Sequence, residues 1–342
     1  MKAIALAGNG RVELVERDRP VPSEGEVLVQ VSHCALCGSD KRLIRQGADH
    51  IPGHEIAGTV VDCGPGVDPS VDERGTVVVY IPLFCGICVQ CQRGRTNRCT
   101  AMTGLVGWQV DGGFAEYLVV PRRNVLPVPD DIPPARAILS LDTVGTAAHG
   151  LRRLFGAVDD RDSPVVVLGC GPLGMGVVAV AQHWGKRVLA YDVDHARAAV
   201  AAALGAEILD FDTTGVEVVR GELNPSVVDA SGSAGARSLA VDLVGQGAGV
   251  LMLGEGDQGW VLPASVRWRR TEAAYVRSFY FPVGQMPENW EILRAVGHGL
   301  EDAIVTTGIF DEVPAIFAAF LAGSMSKPTV EIAWTPAGAT VP

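Results

Sequence analysis

Eight cysteines fall at positions 34, 37, 63, 85, 88, 91, 99 and 170, and four of them crowd into CGICVQCQRGRTNRC, residues 85–99. Thiols this close form disulfides, hold a metal or cluster, or do redox work. The C-x2-C-x2-C-x7-C spacing wraps the backbone round one point and returns the last thiolate after a short loop. It predicts a closed tetrahedral zinc site of Cys85, Cys88, Cys91 and Cys99, structural because no coordination position stays open. Disulfides between such neighbours would close small strained loops. Iron–sulfur runs of the ferredoxin type continue with a tighter last spacing and a proline. Cys37 in HCALCGSD and His54 in IPGHE are also of ligand type, a soft thiolate and a borderline imidazole. Taken singly they read equally as a small buried residue and a loop histidine.

A different chemistry is written in GCGPLG, where Gly169, Gly171, Pro172, Leu173 and Gly174 follow the β-branched run VVVLG and open a helical stretch. Glycines there permit a tight turn and close backbone approach, and the helix N-terminus offers free N–H groups to a pyrophosphate. Asp192 ends the next strand-like run, eighteen residues past Gly174. A carboxylate so placed accepts from ribose hydroxyls and repels a 2′-phosphate, so NAD is expected over NADP. Its plainer alternative is a cap on the following helix.

These residues need two kinds of scaffold. To about residue 140 the chain is strand-like, with EVLVQVSH alternating so that Val27, Val29 and Val31 share a face, then IAGTVVDCG and GTVVVYIP. From Ser163 the pattern changes to VVVLG, a helix to about Trp184, RVLAYD, an Ala-rich helix (195–204), EILD, SVVDAS, a helix near 235–244, GVLMLG and YVRSFYF. That alternation predicts a doubly wound α/β domain with a parallel sheet. Two helical segments, ENWEILRAVGHG and EVPAIFAAFLAG, then a strand PTVEIAW and a frayed TPAGATVP complete it. With 28 basic against 39 acidic residues the net charge is −11, which argues against a nucleic-acid partner. No apolar run has the roughly 18 residues of a membrane span, and MKAIALAGNGRVE turns polar too early for a secretory leader and reads as a first strand. A cytoplasmic protein is expected.

Over nearly its whole length the chain resembles the zinc-dependent medium-chain alcohol and polyol dehydrogenases. CGSD (37–40), GHE (53–55), the cysteine cage, DGGFAEY (111–117), GCGPLG (169–174), Asp192 and VVDASG (227–232) carry the likeness. The resemblance implies a GroES-like β-rich catalytic domain built from residues 1–143 and 282–342, with a Rossmann NAD-binding domain, 144–281, inserted between them. It implies two zincs per chain, and Cys37, His54 and Asp142 as ligands of the catalytic one. Glu55 matches a glutamate beside that zinc, Asp40 a carboxylate that orients the ligand histidine, Ser39 a hydroxyl that passes the substrate proton toward ribose, and Arg197 a contact near the adenosine. Asp142 reads otherwise as a helix cap. The activity implied is NAD-linked interconversion of a secondary alcohol and its ketone, with polyols, sugars or cyclitols favoured and a homodimer or homotetramer expected. A biosynthetic carbonyl or imine reductase and a non-catalytic nucleotide-binding protein are the alternatives.

The chain departs from the family pattern beside the first zinc ligand. Relatives often carry a histidine five residues after that cysteine, where this chain has Arg42, and only seventeen positions separate Cys37 from His54. RLIRQGADHIP is therefore a shortened loop, and His50 within it is placed to meet substrate or solvent. Trp108 and Phe84 line either the pocket or the core. Cys34, Cys63 and Cys170 read as small buried residues, and His183, His195 and His298 as surface residues.

Overall fold

The computed structural model describes residues 1–68, 75–159, 162–211, 215–256, 258–262 and 266–332. Contacts divide the chain into two compact units, one of Met1–Leu141 with the chain from Ile304, the other of Asp142–Ala303.

In the first unit β1 (Lys2–Gly8) and β2 (Arg11–Glu16) form an antiparallel hairpin. The main sheet is built on β3 (Glu26–Ala35), which runs antiparallel to β4 (Glu55–Cys63); β5 (Val77–Val79), β6 (Tyr117–Pro121) and β7 (Val125–Pro127) extend it. β6 pairs with the first half of β3, Glu26–Gln30. Val27, Val29 and Val31 are buried as their alternation predicts, and Leu28 between them is buried too. Both faces of this strand are therefore covered. Phe114 and Phe317 meet edge to face at 5.0 Å in the core beneath it.

The second unit is wound round six parallel strands, β8 (Val165–Leu168), β9 (Val188–Tyr191), β10 (Glu207–Ile208), β11 (Ser226–Asp229), β12 (Gly249–Met252) and β13 (Ala274–Arg277). Their order, β10-β9-β8-β11-β12-β13, is the doubly wound one, reversing between β8 and β11. Val165, Val166 and Val167 are wholly buried, as a central strand without a polar side requires. Helices Pro172–His183, His195–Ala203 and Ala234–Leu243 lie where the sequence puts them, and Val216–Leu223 is added.

Nearly all of the long helix Met286–Ile304 belongs to the second unit, after which β14 (Val305–Ile309) and β15 (Lys327–Glu331) rejoin the sheet of the first. β14 runs parallel to β15, and β15 antiparallel to the second half of β3. β14 escapes the sequence reading because it is half exposed at the sheet edge and carries no apolar alternation. The stretch expected to be a shortened loop begins inside the helix Asp40–Gln46, whose Leu43 and Ile44 are buried. The tail TPAGATVP lies outside the described residues.

Candidate metal and dinucleotide sites

Strand register brings the first group together. Ala35 near the end of β3 faces Glu55 at the start of β4 and Thr329 near the start of β15. Cys37 lies two residues beyond Ala35, His54 one before Glu55 and Lys327 two before Thr329, so the sheet delivers all three to one end. Gly53, at a φ of 99°, turns the chain there; a Cβ on it would come within 2.5 Å of Phe114 and 2.6 Å of the Cys34 thiol.

Cys37, His54, Glu55 and Asp142 each offer one ligand atom, all within 4.8 Å of one another. Donors sharing one zinc stand roughly 3.3–3.8 Å apart, so the cluster needs about an ångström of side-chain movement to close on an ion. Asp142 opens a π-helical turn, Asp142–Thr146, and the N-cap position of the α-helix Ala147–Phe155 falls to Thr146. Asp40, itself buried, accepts from the Cys37 backbone N–H at 2.8 Å. Its other oxygen lies 3.2 Å from His54 Nδ1, an ion-pair distance off the hydrogen-bond line, and the arrangement leaves His54 Nε2 for a metal. Burial works against a charged His54, but the Asp40 carboxylate and then Cys37 outweigh it and hold the imidazole well above its ordinary range. Glu55 and Lys327, both buried, pair at 2.6 Å. Lys327 was invisible in the sequence because a lysine opening a strand normally marks an exposed end.

Ser39 occupies the N-cap position of helix Asp40–Gln46 but makes no side-chain cap bond. Trp108 lies 6.1 Å from the His54 ring and packs on the core of the first unit. Phe84 instead packs edge-on to Tyr80 in the interior, at 5.8 Å. His50 Nε2 is buried with no hydrogen-bond partner among the described residues.

The cysteine run folds as a four-residue helix, Val89–Gln92, and a 3-10 turn, Thr96–Arg98. The Sγ–Sγ distances are 4.0 Å for Cys85–Cys91, 3.9 Å for Cys88–Cys99 and 3.5 Å for Cys85–Cys99. A zinc tetrathiolate with bonds of about 2.3 Å has edges of about 3.8 Å, whereas a disulfide brings sulfurs to about 2.0 Å. The thiols are free cysteines, and their donor geometry fits the metal. Backbone N–H groups of Cys85 and Cys88 donate to the Sγ atoms of Cys99 and Cys85, both at 3.3 Å. The Cys91 N–H and the Thr100 hydroxyl hold the Cys88 thiol down at about 5, while burial pushes Cys91 up to about 12.

In the second unit the turn after β8 shows why three glycines are spaced as they are. Gly169 has a φ of 98° and a Cβ there would meet Ser231 at 2.8 Å; a Cβ on Gly174 would fall 1.9 Å from the Gly169 carbonyl; Gly171 faces open space. The helix Pro172–His183 starts on Gly171 with no side-chain cap, leaving its first N–H groups for a ligand. Asp192 accepts from the Cys170 N–H at 2.7 Å and the Asp194 N–H at 2.8 Å, and each oxygen keeps a second lone pair for a ribose hydroxyl. The cap on the next helix is Asp194, which accepts from Ala196 and lies 3.4 Å from Arg197. Asp229, in VVDASG and fully buried, holds the neighbouring loop through Ser231, Gly232 and Arg237. Cys34 and Cys170 are buried, Cys63 only in part, and His183, His195 and His298 are exposed.

Residues 23–130 match the model of the alcohol dehydrogenase GroES-like domain. The chain is 33% identical over 254 residues to the L-galactonate-5-dehydrogenase of Escherichia coli, covering 70% of this chain and 72% of the relative. It belongs to the zinc-type alcohol dehydrogenase family. Members of that family are oxidoreductases acting on CH–OH groups of small molecules. An L-threonine 3-dehydrogenase of Pyrococcus abyssi is 39% identical over 178 residues, 50% of this chain and about half the relative's length, 49%. Among solved structures, acetophenone reductase from Geotrichum candidum in complex with NAD superposes with a TM-score of 0.85 at 26% identity, covering 96% of both chains. Among the described residues no helix is long and apolar enough to cross a membrane.

Proposed function

We propose that the protein is a zinc-dependent, NAD-linked dehydrogenase that interconverts a secondary alcohol of the polyol, sugar or cyclitol class and its ketone. The observation that carries this is the cluster of Cys37, His54, Glu55 and Asp142 within 4.8 Å. One thiolate, one imidazole and one carboxylate are a donor set that leaves zinc a fourth position for substrate. In this reading Cys37, His54 and Asp142 hold the catalytic zinc, and Cys85, Cys88, Cys91 and Cys99 the structural one. Residues 1–143 and 282–342 form the catalytic domain, and residues 144–281 bind NAD through Gly169, Gly171, Pro172, Leu173, Gly174, Asp192 and Arg197. A homodimer or homotetramer in the cytoplasm fits this reading.

Bound zinc supplies the Lewis acidity that makes an alcohol proton labile, and bound NAD supplies the hydride acceptor. The protein's own groups do the rest. Asp40 keeps His54 in the tautomer that presents Nε2. Ser39, its hydroxyl unused by the helix, takes the substrate proton and passes it to ribose or solvent, Arg42 standing where relatives end the relay on histidine. Lys327 balances Glu55, so that one more carboxylate beside the metal does not make the site too anionic to dock a polar substrate. Asp192 disfavours a 2′-phosphate.

The test is turnover of a panel of polyols, cyclitols, sugar acids and aliphatic alcohols with NAD and NADP, alongside metal analysis. NAD-dependent oxidation of a polyhydroxy substrate with two zincs per chain is expected. Turnover restricted to ketone or imine reduction with NADPH would replace this reading with the reductase.

A further inference from the structure

In the sheet of the second unit β8, β11 and β12 are neighbours, and the strand order reverses between β8 and β11. Doubly wound sheets bind ligands in the crevice outside the strand ends at such a reversal. The glycine turn follows β8 there, and the chain after β11 comes close to it: a Cβ on Gly169 would lie 2.8 Å from the Ser231 side chain and 2.9 Å from its backbone nitrogen. Ala230, Ser231 and Gly232 have little side chain to pack with, so polar ties must set their shape. Asp229, the last residue of β11, supplies them. Its Oδ1 accepts from the Ser231 N–H at 3.0 Å, the Ser231 hydroxyl at 2.9 Å and the Gly232 N–H at 3.0 Å. Its Oδ2 accepts from Arg237 Nε at 3.3 Å, and Arg237, buried on the helix Ala234–Leu243, also donates from Nη2 to the Gly254 carbonyl at 3.2 Å. The chain after β12 is tied to the same point, since the Gly254 N–H donates to the Asp229 carbonyl at 2.9 Å. A Cβ on Gly254 would fall 2.1 Å from the Gly232 nitrogen. One buried ion pair thus fixes the ends of two adjacent strands beside the glycine turn.

We propose that Arg237 is a positioning residue for the dinucleotide: through Asp229 it presets the 230–232 loop against the glycine turn, so that cofactor affinity depends on a buried pair that does not itself hold the cofactor. A loop ordered in advance spares binding the cost of ordering it. This rests on the NAD reading above and names a further residue that governs it.

The experiment uses the whole protein as wild type and as the Arg237→Gln, Arg237→Lys and Asp229→Asn variants. NADH binding is followed by nicotinamide fluorescence, alongside zinc content and thermal melting. Arg237→Gln should weaken NADH binding by roughly tenfold in protein that is folded at the assay temperature, with zinc content unchanged. Arg237→Lys should recover part of the loss, because lysine keeps the charge but not the fork that reaches Asp229 and the Gly254 carbonyl together. Asp229→Asn should resemble Arg237→Gln, since one of its two terminal atoms no longer accepts. Hydrogen exchange on the wild type gives a readout that needs no variant: the Ser231 and Gly232 amides should be protected before NADH is added, and NADH should change that protection little. Amides that exchange freely until NADH arrives would overturn the proposal. So would an Arg237→Gln protein that melts lower yet binds NADH as tightly as the wild type, the mark of a merely structural pair. If the wild type binds neither NADH nor NADPH, the dinucleotide reading itself fails, and this one with it.

Discussion

Single side chains decide the chemistry, and the proposed role of Asp142 allows the sharpest test. As a zinc ligand it is at once a charge and an oxygen donor; as a structural residue it would be only an oxygen at the start of a π turn. Asp142→Asn keeps shape and oxygen and removes charge. The ligand role predicts loss of one zinc per chain and activity lower by orders of magnitude, whereas a structural role predicts a stability change of a few tenths of a kcal/mol and normal turnover. Metal analysis together with steady-state kinetics separates them, and an active variant with both zincs would leave Glu55 as the carboxylate donor. Asp192 offers a second test at this scale. Asp192→Ser removes the repulsion of a 2′-phosphate but also the acceptor for the Cys170 N–H, so relative use of NADP should rise about tenfold or more while total efficiency falls. A wild type that already prefers NADP would refute the assignment.

At the scale of elements, ion pairs and buried imidazoles set stability. Lys327 and Glu55 pair at 2.6 Å with essentially no exposure. Removing the cation leaves a buried carboxylate, so Lys327→Met should cost roughly 3–5 kcal/mol by denaturant unfolding, more than Lys327→Arg, which keeps the charge. Opposite Glu331 in the β3–β15 ladder, His33 is held below its ordinary range by burial, an effect Glu331 partly offsets. A folded state that resists protonation contributes stability that is present above the unfolded value, about 6.5, and lost as pH falls through the folded one. The melting temperature should therefore fall between neutral pH and 5, less steeply in His33→Gln, and parallel slopes would rule this out. Legibility in the sequence followed the same division. Runs with a strong period or fixed spacing, such as the cysteine cage, the glycine turn and the central strands, were readable because local chain geometry alone imposes their function. Lys327 was not, since it acquires its role from Glu55, 272 positions away in the sequence. The helix Asp40–Gln46 shows no helical period in the sequence because its seven residues hold only one buried apolar pair, Leu43 and Ile44.

For the molecule as a whole, two metal sites of different character should respond differently to chelators. On the proposed assignment the cage would enclose its ion with four thiolates, whereas the Cys37, His54 and Asp142 set would leave a side open. Graded chelation should remove the first zinc with activity while far-UV and thermal signatures stay near native, and the second only with loss of the 85–99 lobe and a fall in melting temperature. Simultaneous loss of both, or one zinc at the outset, would contradict the two-site arrangement. A net charge of −11 makes both sites salt-sensitive in their metal on-rates, faster at low ionic strength.

The pairing of β15 with β3 has a consequence for the order in which the molecule is made. Ala35 waits for Thr329, so a ribosome has finished the whole second unit before it delivers the strand that completes the sheet of the first. Until then the second half of β3 lacks the neighbour that β15 provides, and Glu55 lacks Lys327. The second unit can thus mature before β15 is made, and the sheet end that carries Cys37 and His54 is completed only when β15 arrives. During that interval the chain around Cys37 and His54 already holds groups of metal-ligand type without the cation that later pairs with Glu55, so the wait for β15 is the period of greatest exposure to the wrong metal.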